Sequence, residues 1–138
     1  NMNLVDKLLQ ADAGKATELE TKVIKSNRLS RILGVKNATE ITIREIPAKR
    51  LHELMSMQFG KNGKPDPEKS LAAQTLVAAE ALVEPSMKDK SLQEHFSCKT
   101  PKDLAMKLFG LEVKQIADEV VILSGYGDVE DTDEEIKN

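Results

Sequence analysis

The chain has 138 residues and a single cysteine, Cys98, so one domain is expected, large enough to bury a core without a metal and with no intrachain disulfide to draw on. Its net charge of −3 is uneven: Asp128, Glu130, Asp131, Asp133, Glu134 and Glu135 against Lys137 put −5 on residues 128–138, and subtracting that from −3 leaves +2 on residues 1–127. A body so near neutrality speaks against a dedicated nucleic-acid binder, and the lack of a run of about 18 apolar residues speaks against a membrane span.

Met2 is the expected initiator, and Asn1 is left out of the reading. The N-terminus lacks the basic, apolar and small-residue order of a signal peptide, so a cytoplasmic protein is expected. Leu4, Val5, Leu8 and Leu9 share one stripe of a short helix that Asp12-Ala13-Gly14 ends. Such a helix is too short to stand alone and must dock, on its own domain by the usual packing logic or else on a partner. Lys22-Val23-Ile24-Lys25 reads as a brief strand, and Leu29, Ile32 and Leu33 then take helical spacing up to Gly34. From Glu40 to Ile46 the β-branched Ile41, Ile43 and Ile46 interleave with polar residues, which predicts a half-buried strand pairing with the first.

Pro47 suits the first turn of a helix with Leu51, Leu54 and Met55 on its apolar face, ending near Phe59. Gly60-Lys61-Asn62-Gly63-Lys64-Pro65 is expected to be a flexible loop. Asp66-Pro67 then pairs a cap with a first-turn proline, opening an alanine-rich helix through Leu71, Ala72, Leu76, Ala79, Leu82 and Val83 that should be the most buried. After a turn at Glu84-Pro85-Ser86, Asp89 can cap a helix carrying Leu92 and Phe96, and Thr100-Pro101-Lys102-Asp103 starts another with Leu104, Leu108 and Phe109. Gly110 breaks it, and a last helix from about Glu112 to Ser124 puts Val113, Ile116, Ala117, Val120 and Val121 on one face, with Ile122 on the wet side. The expected fold is mainly α, a single-domain bundle of about five to six helices with a short two-stranded β element in the N-terminal third. Residues 2–127 make the domain, and the acidic segment 128–138, apolar only at Val129 and Ile136, is expected to be disordered.

The sequence offers no set of groups for catalysis. His52-Glu53-Leu54-Met55-Ser56 has serine where a zinc motif needs its second histidine, and His95 near Cys98 lacks a third group to orient the pair. Gly60–Pro65 has the wrong spacing for a phosphate loop, and Gly125-Tyr126-Gly127 reads as a helix stop. No cofactor, metal or enzymatic activity is therefore expected. A basic stretch, Lys22, Lys25, Arg28, Arg31, Lys36, Arg44, Lys49 and Arg50, keeps a nucleic-acid-binding or regulatory module as an alternative, weakened by the absence of interleaved aromatics.

The segment Val83-Glu84-Pro85-Ser86-Met87-Lys88-Asp89-Lys90-Ser91-Leu92-Gln93-Glu94-His95-Phe96, then Thr100-Pro101-Lys102-Asp103-Leu104 and Leu123-Ser124-Gly125-Tyr126, resembles the XkdN-like tail assembly chaperones of phages and prophages of Gram-positive bacteria. Leu8-Leu9-Gln10-Ala11-Asp12, Arg28-Leu29-Ser30-Arg31-Ile32-Leu33-Gly34 and the Ile41–Glu45 strand follow the family in the same order. Gly110-Leu111-Glu112-Val113 departs from the Pro-Gly-Glu-like break that members often carry, and the glycine-lysine loop before Asp66 is this chain's own. The resemblance implies a non-enzymatic chaperone of the host cytoplasm that binds the tape measure protein, the helical ruler of the tail, and helps bring tail-tube subunits to it. It implies absence from the mature virion and leaves open a frameshifted longer product and a homo-oligomer. A structural tail component is the other reading. Partner contacts are expected on the last two helices, at Leu104, Leu108, Phe109, Ile116, Val120 and Ile122, against the alternative that these residues are plain core. No nucleic acid or membrane partner is expected.

Overall fold

Five of the seven α-helices among the described residues start at a side-chain cap, whose oxygen serves an amide that a first turn leaves unpaired. In the computed structural model, which describes residues 2–126, Asn3 opens α1 (Leu4–Gln10) by accepting from the Asp6 amide. Ser26 opens α2 (Asn27–Leu33), and its Oγ accepts from Leu29 N–H at 3.1 Å. After α3 (Ala48–Ser56), Asp66 opens α4 (Pro67–Ala81) by accepting from the Glu68 and Lys69 amides at 2.9 and 3.2 Å, with Pro67 just inside the first turn. Asp89 caps α5 (Lys90–His95) and Thr100 caps α6 (Pro101–Phe109), while α7 spans Glu112–Val121 and runs into a wide turn over Ile122–Tyr126. A short 3-10 turn covers Ala13–Thr17. Among the described residues there are thus seven α-helices, and a sheet completes the fold. The acidic segment expected at 128–138 lies outside the described residues.

The sheet has three antiparallel strands in the order β1 (Thr21–Ser26), β2 (Thr39–Arg44) and β3 (Leu82–Glu84). β1 and β2 pair with Thr21 opposite Arg44 and Ser26 opposite Thr39, the ribbon expected from the alternating isoleucines. The third strand corrects the sequence reading, which ran Leu82 and Val83 on as helix. Glu84 precedes Pro85, and a residue before proline is pushed out of the helical region, so the chain extends as soon as α4 ends. The open edge of β2 then pairs with it, Ile43 opposite Leu82, with Leu82 buried and Val83 turned outward. Hydrogen bonds close Gly60–Pro65 into a turn-rich loop. Gly60 N–H donates to Lys64 C=O at 2.7 Å, Asp66 N–H to Gln58 C=O at 2.9 Å, and Asn62 Oδ1 accepts from Lys64 N–H.

α4 is the central element, packed against α3, α6 and α7. Its alanines permit this: Ala73, Ala78, Ala79 and Ala81 are buried on several sides, where larger side chains would hold the neighbouring helices apart. Thr75, also buried, returns its hydroxyl to Leu71 C=O at 2.7 Å. Around α4 the core gathers Ile41 and Ile43 from β2, Leu51 and Leu54 from α3, Met87, and the inner faces of α6 and α7. Burying each such side chain contributes about 1.5–3 kcal/mol.

One long-range contact ties the two ends of this arrangement together. Glu112, at the first turn of α7, accepts from the Ser26 hydroxyl at 2.6 Å with one carboxylate oxygen, and from the Asn27 and Arg28 amides at 3.2 and 3.1 Å with the other. A carboxylate over the start of α2 satisfies amides that the helix leaves free and sits at the positive end of its dipole.

Candidate partner-binding surface

Five of the six residues expected to meet a partner are interior. Leu104, Leu108 and Phe109 of α6 and Ile116 and Val120 of α7 belong to the core around α4, with Leu104, Phe109 and Val120 fully buried. Inward spacing on a helix that has neighbours on its apolar side fills the core first, the alternative the sequence left open for these residues. Ile122 is different. It stands at the end of α7, 41% exposed, on the wet side where the helical spacing put it.

The accessible apolar surface lies elsewhere. Leu4, Val5, Leu8 and Leu9 of α1 are between 63% and 79% exposed, and no residue of that helix is buried. α1 therefore does not dock on its own domain, contrary to the first of the two options its sequence left open. A helix of 7 residues gains little from its backbone bonds alone, and its apolar stripe stands exposed. A second patch forms at the end of α2, where Ile32, Leu33 and Val35 are exposed. Arg28, one turn before Ile32, reaches across to Gly110; a Cβ at Gly110 would lie 3.2 Å from the Arg28 Nε. That contact brings the start of α2 beside the turn between α6 and α7, where Leu111 is exposed apart from that patch. Neither patch carried a signal that separates it in sequence from an ordinary buried stripe.

The polar features resolve into structural roles. A groove of about 290 Å³ runs between β1 and α7, with Ile24, Gln115 and Ile116 along it, and Glu119 at its edge pairs with Lys22. The outer edge of β1 carries Lys22 and Lys25, charges of the kind that discourage strand addition. Arg50 grips Glu80 through its Nε at 2.9 and 3.1 Å and reaches Glu53, and these hydrogen bonds and charges, Glu80's foremost, raise its pKa further. Within the basic stretch, Lys22 pairs with Glu119 and Arg50 with Glu80, while the Arg28 side chain lies against Gly110. His52 sits exposed on α3, His95 packs edge-on against Phe96, and the Cys98 thiol donates to Phe96 C=O. Among the described residues, no three histidine, cysteine or acidic side chains converge as a metal site, and no helix is long and apolar enough to cross a membrane.

Residues 5–137 match the profile of the family described as phage XkdN-like tail assembly chaperone protein. The chain belongs to the XkdN-like tail assembly chaperone family. The family is a non-enzymatic class, and membership implies partners among the proteins of the phage tail. The fold of this family chain is also similar to the crystal structure of the protein YqbN, with a TM-score of 0.52 and 19% identity over 78% of this chain and 87% of that one. No curated protein matches.

Proposed function

We propose that the protein binds the tape measure protein of its phage through the apolar face of α1, in the cytoplasm of the bacterial host, and helps assemble tail-tube subunits around that ruler before leaving it. The observation that carries this reading is the stripe Leu4, Val5, Leu8 and Leu9, exposed on a helix that the domain does not cover. A long ruler built of amphipathic helices carries apolar stripes of its own, and laying one against α1 removes both from water. Ile32, Leu33 and Val35 supply a second contact, and Leu111 and Ile122 outlying ones.

The energetics suit an assembly factor. Covering a Leu or Val side chain yields about 1.5–3 kcal/mol, but ordering α1 and immobilising the partner consume most of that gain. One copy therefore holds weakly, and many copies along a repeated target hold through avidity while each remains replaceable by a tube subunit. The test is co-expression with the tape measure protein encoded beside it. A soluble complex that co-purifies supports the reading; a ruler that stays soluble and unaccompanied in the presence of this chain overturns it.

A further inference from the structure

A basic groove lies on the surface between the end of β2, α4 and the start of α6, and the ruler-binding reading does not use it. About 400 Å³ in volume, it runs between α4 and the start of α6, with Leu76, Ala79 and Pro101 as its apolar walls and Arg44, Lys88 and Lys102 as its cations. It continues into a depression of about 250 Å³ beside Val83 and Ser86 that shares Arg44, Ala79, Glu80 and Lys88. Glu80 is the one carboxylate in its lining, and Arg50 already engages it. Among the described residues no carboxylate forms an ion pair with Arg44, Lys88 or Lys102. The groove thus presents three unneutralised cations around an apolar floor.

We infer that the acidic C-terminal segment of the same chain, residues 128–138, occupies this groove. Charge is the first argument: that segment carries −5, and it includes Val129 and Ile136, apolar side chains able to lie against Leu76 and Val83. Its point of departure is the second. Ser124 Oγ accepts from Ile46 N–H at 3.1 Å, which fixes the end of the described chain beside the exit of β2, and Arg44 lies only two residues back along that strand. Two strand residues span about 7 Å, whereas the chain from Gly127 to Asn138 can span roughly 40 Å when extended. The segment reaches every cation of the groove with chain to spare. Tethering is the third argument: a segment held by a short linker experiences an effective concentration of about 1 mM, so even a weak electrostatic contact is well populated. The contact weakens as salt rises, because the Debye length falls from about 30 Å at 0.01 M to about 3 Å at 1 M.

Zero-length carbodiimide coupling of lysine to carboxylate tests this on the full chain. An equal mixture of ¹⁴N- and ¹⁵N-labelled protein is treated at about 10 mM and at about 1 M salt, and the joined peptides are read by mass spectrometry. The expected result is links from Lys88 and Lys102 to Asp128–Glu135 within isotopically uniform pairs, enriched roughly fivefold over other lysines at low salt and lost at high salt. Arg44→Glu, at an exposed position, should abolish the enrichment without changing the thermal midpoint, and Lys88→Gln should weaken the link that remains at Lys102. Links of mixed isotope would assign the groove to a second copy's tail and overturn the inference. So would links spread evenly over the lysines, no links to the tail, or an enrichment that Arg44→Glu leaves intact.

Discussion

Removing the Glu112 carboxylate by Glu112→Ala should destabilise the fold by about 2 kcal/mol, with the loss falling on the junction between α2 and α7. The figure follows from its three hydrogen bonds, to the Ser26 hydroxyl at 2.6 Å and to the Asn27 and Arg28 amides at 3.2 and 3.1 Å. A hydrogen bond to a charged group is worth about 1.5–3 kcal/mol net, but Asn27 is exposed and water can replace the carboxylate there. Ser26 is 1% exposed, so its hydroxyl loses an acceptor that water reaches poorly, and most of the cost arises at that atom. For a domain of this length the change corresponds to a thermal midpoint lower by roughly 6–8 °C. Urea unfolding followed by helical circular dichroism measures it, with Ser26→Ala and the double variant completing a cycle. The two side chains touch, so their costs should be coupled by about 1 kcal/mol. A Glu112→Ala protein within about 0.5 kcal/mol of the parent, or costs that simply add, would refute the cross-cap as a stabilising element.

Leu108→Ala should cost about 2–5 kcal/mol in the same unfolding assay, since the residue is buried between helices and leaves a cavity; a cost below about 1 kcal/mol would return α6 to consideration as a free surface. Gly110→Ala should cost about 2–3 kcal/mol, because the position has φ 56° and the added Cβ would lie 3.2 Å from Arg28 Nε. Ile122→Glu should leave the unfolding free energy within about 0.5 kcal/mol of the parent and weaken ruler binding only slightly; no change in binding removes Ile122 from the contact. Mass spectrometry of purified phage particles should find the protein absent, whereas a stoichiometric presence would identify a structural tail component.

Local signals carried most of the fold. Asp66-Pro67, Asp89 and Thr100-Pro101 predict helix starts because capping is settled within a turn, and in the structure each oxygen bonds the amide that its spacing offers. Gly34 predicts the end of α2 and there adopts φ 72°. The features that escaped depend on neighbours remote in sequence. β3 needs the edge of β2 to pair with, and Glu112 meets Ser26 across the whole intervening chain. Helical spacing placed Leu104, Leu108, Phe109, Ile116 and Val120 on apolar faces, but spacing alone does not say whether a face meets its own domain or another protein. The same ambiguity, resolved the other way, applies to α1: its stripe looks like any core stripe, and only the absence of burial marks it as available.

The account rests on α1 as the handle for the ruler, and affinity for the tape measure protein measures that directly. Replacing Leu4, Val5, Leu8 and Leu9 by serine removes contacts worth about 1.5–3 kcal/mol each when covered, of which only part survives as binding energy. Calorimetric titration of the ruler should show affinity weakened by at least roughly thirtyfold, about 2 kcal/mol, with the unfolding midpoint of the domain unchanged. Undiminished affinity in that variant would contradict the claim.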